Sequence, residues 1–89
     1  MEDLKHLEKI SKALANRRRL AILKFLKRNG KAPVAEIAEE IGISFKSTSK
    51  HLIILSSVDI VEKEQKSLQM FYSINNHQHE IIKTTLRFL

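Results

Sequence analysis

The chain has no cysteine, no tryptophan, one tyrosine, one proline and two glycines in 89 residues. Without cysteine there is no disulfide and no thiolate metal site. Two glycines do not furnish a phosphate-cradling loop of the Walker or Rossmann kind, and so little glycine and proline does not build a turn-rich β-sandwich. No stretch approaches the roughly 18 consecutive apolar residues of a membrane span. The start, Met1-Glu2-Asp3, is acidic where a secretory signal is basic. A cytoplasmic protein without membrane contact is therefore expected. The serines have no neighbouring base motif, and the Glu and His residues fit no catalytic spacing, so no enzyme is expected either.

What is present is 43% hydrophobic residues and a net charge of +6. That length holds one core, so residues 1–89 read as a single domain. A domain this short buries only about 60% of its unfolded surface, and with disulfides gone a homodimer is the expected support. The charge is uneven: residues 1–31 carry +7, residues 32–43 carry −3, and residues 44–58 carry +2 from Lys46 and Lys50. A basic excess permits nucleic-acid binding, although it equally describes a solvated charged face.

Leu4, Leu7, Ile10 and Leu14 recur at three- and four-residue steps, which predicts an amphipathic helix over residues 3–14. Asn16 is a good N-cap for a second helix to about Lys27, with Leu20, Leu23 and Leu26 inward and Ile22 and Phe25 flanking. Asn29-Gly30 ends it, the glycine suiting the left-handed C-terminal position. Pro33 suits a first helical turn, and Val34, Ile37, Ala38 and Ile41 form one face of a short third helix closed by Gly42. Ser44 then caps a fourth helix to about Ser57. Helix, short glycine-containing turn and helix make a helix-turn-helix. Beyond it, residues 60–64 and 69–74 read as strands with Lys66-Ser67 between them as a hairpin tip. Asn75 or Asn76 is the expected cap of a last helix bearing Ile81, Ile82, Thr85, Leu86 and Leu89, an apolar side that needs a partner. The fold is thus mainly α with a small β-hairpin: four helices, two strands and a fifth helix.

At 100° per residue, Phe45, Lys46, Ser49, Lys50 and Ile53 fall in one ~140° sector of the fourth helix, opposite Thr48, Leu52 and Leu55. A major groove admits such a helix, and its N-terminal side chains reach base edges. Lys46 and Lys50 suit guanine O6/N7 or phosphate, Ser49 suits phosphate, and Phe45 suits a thymine methyl. Phe45 and Ile53 are unusual on a solvent face and equally suit a protein-interaction module.

The residues Ser11 to Leu23 (Ser-Lys-Ala-Leu-Ala-Asn-Arg-Arg-Arg-Leu-Ala-Ile-Leu), Ala35 to Ser44, and Ser49-Lys50-His51-Leu52 resemble the ArsR-type winged helix-turn-helix transcriptional repressors. The resemblance spans residues 4–76. It implies a sequence-specific, homodimeric repressor of double-stranded DNA, with the fourth helix in the major groove, the hairpin as wing, and the first and last helices as dimer interface. The interface candidates are then Leu4, Leu7, Ile10, Ile81, Ile82, Leu86 and Leu89. The DNA-contact candidates on the fourth helix are Ser44, Phe45, Lys46, Ser47, Ser49, Lys50 and His51. His51 is at the edge of the core sector, either a buried hydrogen-bonding residue or a backbone contact. Lys63 and Lys66 are the wing candidates, although Glu62 and Glu64 cancel their charge.

Arg17, Arg18 and Arg19 complete the set, since cations in a first helical turn oppose the helix dipole and a phosphate or a partner's acid would explain them. Arg19 matches the family's Arg before Leu, which the resemblance leaves as either structural or a DNA-backbone contact. Asp59 stands where the family has glycine and tolerates the left-handed conformation. The family's thiolate metal site is absent from Val34-Ala35-Glu36-Ile37-Ala38. His77-Gln78-His79 would supply half of another metal site of the family, but i and i+2 diverge by ~200° on a helix, so the pair does not chelate unless the segment is unwound. No metal and no cofactor is expected.

Overall fold

The computed structural model describes residues 3–89. In chain order the elements are α1 (Leu4–Leu14), α2 (Arg17–Asn29), β1 (Ala32–Pro33), α3 (Val34–Ile41), α4 (Phe45–Ser57), β2 (Val61–Lys66), β3 (Gln69–Ile74) and α5 (Glu80–Arg87). The fold is a winged helix-turn-helix. No helix among the described residues is long and apolar enough to cross a membrane.

Local chemistry sets most boundaries. The side chains of Asp3, Asn16 and Ser44 accept from the backbone amides of Lys5, Arg19 and Ser47, so α1, α2 and α4 each start on a polar cap. Gly42 closes α3 at φ 79°, ψ 33°, the left-handed conformation that costs glycine least. Gly30 also has positive φ, 75°, but its ψ of −133° lies outside the expected left-handed helical region. Asp59 adopts φ 58° where the chain leaves α4.

Four expectations need correction. The sheet has three strands in the order β1-β3-β2, because Ala32 pairs with Tyr72 and Pro33 with Phe71. A two-residue strand has no alternation to read, and an edge position tolerates proline. Pro33 is accordingly the residue before α3, not within its first turn. The hairpin continues to Lys66 opposite Gln69, so its tip is Ser67-Leu68, with Ser67 at φ 54°. Finally, α5 starts at Glu80, later than Asn75 or Asn76 would place it by four or three residues. Asn75 is engaged with the amide of His77, and the cap is His79, whose Nδ1 accepts from Ile81 N at 3.1 Å.

The core joins Ile10 and Ala13 of α1, Ile22, Leu23 and Leu26 of α2, Val34 and Ile37 of α3, Leu52 and Leu55 of α4, Ile60, Val61, Tyr72 and, from α5, Ile82. On α2 the inward set is Ile22, Leu23 and Leu26, while Leu20 and Phe25 are only partly buried. Lys27 Nζ donates to the Leu86 carbonyl at 2.8 Å, tying α2 to the last turn of α5.

Candidate nucleic-acid interface

The site is built on α4. Thr48, Leu52 and Leu55 are fully buried, and the one buried polar side chain among them is satisfied: Thr48 Oγ1 donates to the Ser44 carbonyl at 2.8 Å. That anchoring leaves the opposite side of the helix outward. Phe45 and Ile53 are 59% and 60% exposed, Lys46 and Lys50 are exposed, and Ser47, Ser49 and His51 are half-buried. Neither lysine makes an ion pair among the described residues, so both charges stay available. Ser44 is exposed, but its hydroxyl is occupied as the helix cap.

The three arginines of α2 separate. Arg17 and Arg18 are exposed beside Asn16. Arg19 is turned into the protein. Its Nε donates to the Ala13 carbonyl at 2.7 Å, Nη2 to the Lys12 carbonyl at 3.1 Å, and Nη1 faces His51 Nδ1 at 3.2 Å. Its guanidinium thus holds two carbonyls at the end of α1, of which that of Lys12 also accepts the Ala15 amide, and a phosphate contact by Arg19 is not what the geometry provides. Burial, then the charges of Arg19 and Arg18, hold the His51 pKa below its ordinary value.

On the wing, Lys63 and Lys66 are exposed, and they lie on opposite faces of the hairpin. Glu64 pairs with Lys31 of the α2–β1 connection. That hydrogen bond and charge, with Lys66 adding to them, hold the Glu64 carboxyl below the usual carboxylate range. Leu68 at the tip is 98% exposed. With Phe45 and Met70 it borders a notch of about 200 Å³ against Pro33, Val34 and Ala35. Sequence reading passed over Leu68 because a hairpin tip is ordinarily polar; an apolar residue there was the available signal.

The interface candidates divide by depth. Leu4 is 78% exposed, and Leu7, Ile81, Leu86 and Leu89 are half-buried. Ile10 and Ile82 belong instead to the core of the same protomer and present nothing outward. Phe88, 84% exposed beside Leu89, extends the apolar end of α5 and was missed. No group of three or more His, Cys, Asp or Glu among the described residues is placed to hold a metal ion.

Residues 14–64 match the family model described as a helix-turn-helix domain. The chain is 32% identical over 77 residues, 86% of its length and 73% of the relative's, to the arsenical resistance operon repressor of Bacillus subtilis. It belongs to the ArsR family.

Solved structures agree with this ArsR-family assignment. The homodimeric winged helix-turn-helix DNA-binding domain of a possible ArsR-family regulator from Mycobacterium bovis superimposes with a TM-score of 0.81 at 30% identity, covering 96% of this chain and 75% of that one. HlyU from Vibrio cholerae gives 0.80 at 26% identity, covering 99% and 92%. The protein is an ArsR-family DNA-binding transcriptional regulator, and DNA binding and homodimerisation are typical of its neighbours. Within that family its α3 carries Val34-Ala35-Glu36-Ile37-Ala38 without a thiol, and its α5 uses His79 as a backbone cap.

Proposed function

We propose that this chain is a cytoplasmic, homodimeric repressor that binds double-stranded DNA sequence-specifically, without thiolate metal sensing. The observation that carries this reading is the outward face of α4, where Lys46 and Lys50 stand unpaired beside Ser49, Phe45 and Ile53 on a helix locked from behind. Two such helices related by a two-fold axis meet half-sites about 10 bp apart. The half-buried and exposed residues Leu4, Leu7, Ile81, Leu86 and Leu89 form the dimer surface, and Phe88 extends it. Arg17 and Arg18 contact phosphate, and Lys63 and Lys66 add little because the wing's charge cancels.

Selecting bound sequences from random duplexes tests this directly, the expected product being a roughly palindromic site. If the dimer neutralises ~6 to 10 phosphates, its affinity falls ~10³- to 10⁵-fold between about 50 and 200 mM salt. Salt-insensitive or undetectable binding overturns the reading. The exposure of Phe45, Ile53 and Leu68 favours a second one, an interaction module that grips a protein partner. A partner lost with Phe45→Ala, together with no DNA binding, would select it. Zinc at modest excess is expected to leave DNA affinity unchanged.

A further inference from the structure

Arg19 stands where three helices meet. Two arms of its guanidinium are held by the Ala13 and Lys12 carbonyls at the end of α1, and the third reaches His51 Nδ1 on α4 at 3.2 Å. A guanidinium carries donors only and does not lose its proton in proteins. Nδ1 of His51 is therefore the acceptor, and the ring proton is on Nε2. The ring is also neutral, because an imidazolium would set N–H against N–H. Its surroundings agree: α1 offers carbonyls, α2 offers the cations Arg18 and Arg19, its own helix adds Lys50, and the pKa is held below the ordinary value.

The two ring nitrogens diverge, so the Nε2–H is aimed away from the α1–α2 junction. His51 has no other side-chain hydrogen bond among the described residues, and among them no buried side-chain nitrogen or oxygen lacks a partner. Nε2 of this half-buried ring is accordingly at the surface. It lies on the flank of α4 that Lys50 and Ser47 share, within roughly 100° of the helix circumference. A single N–H donor among cations suits an anionic oxygen.

We propose that Arg19 is a positioning residue: by occupying Nδ1 it fixes His51 as an outward Nε2–H donor to a phosphate oxygen of the DNA strand bordering the groove that α4 enters. This rests on the DNA-binding reading above. The α1 carbonyls give the guanidinium one orientation, so the direction of the His51 donor is set by the end of α1.

Nitrogen-15 NMR of the histidines in the free wild-type protein at neutral pH is expected to show His51 protonated at Nε2 and bare at Nδ1. Arg19→Met should mix the two tautomers and raise the titration midpoint of His51. Two substitutions separate the nitrogens, because a glutamine amide reaches the Nε2 position and an asparagine amide only the Nδ1 position. His51→Gln should keep duplex affinity within about threefold, whereas His51→Asn should lose about tenfold or more. An Nδ1–H tautomer in the wild type overturns the proposal, as does equal DNA affinity of the two variants. If Arg19→Met does not fold, the wild-type spectrum and the His51 pair still decide. A wild-type protein with the Nε2–H tautomer that binds no duplex would instead remove the DNA-binding reading and leave the tautomer assignment standing.

Discussion

Helix α4 and the hairpin β2–β3 are both exposed and both carry two lysines, yet they are built on opposite terms. Helix α4 stands on three fully buried side chains, Thr48, Leu52 and Leu55, and no acid accompanies Lys46 and Lys50. The hairpin buries Val61 and Tyr72 at its base, and its lysines share it with Glu62 and Glu64, the latter paired to Lys31. The difference shows that a net charge of +6 does not by itself make a reading surface. The reading surface proposed for α4 asks for cations that the scaffold fixes and leaves unpaired.

The contrast can be broken most forcefully at the anchor. Leu52→Ala should cost about 2–5 kcal/mol, seen as a lower Tm, because it removes a fully buried side chain and leaves a cavity. Gln65→Ala in the exposed wing should stay within about 0.5 kcal/mol. Equal losses would mean that the wing is as firmly seated as the helix. The next effect is electrostatic. Lys50→Ala should leave Tm unchanged, weaken duplex binding about tenfold and lower the salt slope by about one. The double change Lys63→Ala, Lys66→Ala should weaken binding by less than about fivefold in total, the range of exposed charges. A slope lowered by two would place the wing on the DNA and erase the distinction.

The smallest effect is in pH. Both regions hold a group whose folded pKa is depressed, His51 below 6.5 and Glu64 below 4.5. In each case the unfolded chain binds more protons between the two values, so the stabilisation is present above the ordinary pKa and lost as pH falls through the folded one. Mild acid is therefore felt first where α4 meets α1 and α2, and only stronger acid reaches the Lys31–Glu64 pair. Urea titrations across that range should show a near-neutral slope that His51→Gln flattens; a slope unaffected by that change would assign it elsewhere.

The helical frame was readable because its signals are local. Period 3.6, the caps Asn16 and Ser44 and the left-handed Gly42 each act within a turn or two. The outward sector of α4 followed from the same periodicity. What escaped notice depends on distant partners. Strand β1 exists only because Tyr72 and Phe71 lie beside it. Asn75 looked like a cap until its side chain was drawn to His77, leaving the role to His79. Periodicity also assigns a face but not a depth: Leu4 and Ile10 share a stripe, and one is open while the other is sealed. The family resemblance sets Arg19 apart from Arg17 and Arg18 but leaves it structural or a backbone contact, and only the approach of α1 and α4 gives it its task.

The attachment of α5 has a consequence for assembly. Ile82 is buried in its own protomer and the Leu86 carbonyl receives Lys27 of α2, so the C-terminal helix is held by its own chain as well as offering an apolar side outward. In the proposed homodimer, association then joins helices already seated on their own chains, and mass action governs it as a bimolecular equilibrium. Dilution should separate the copies while the helical signal persists, with free subunits as a reservoir whose size the cell sets by how much of this protein it makes.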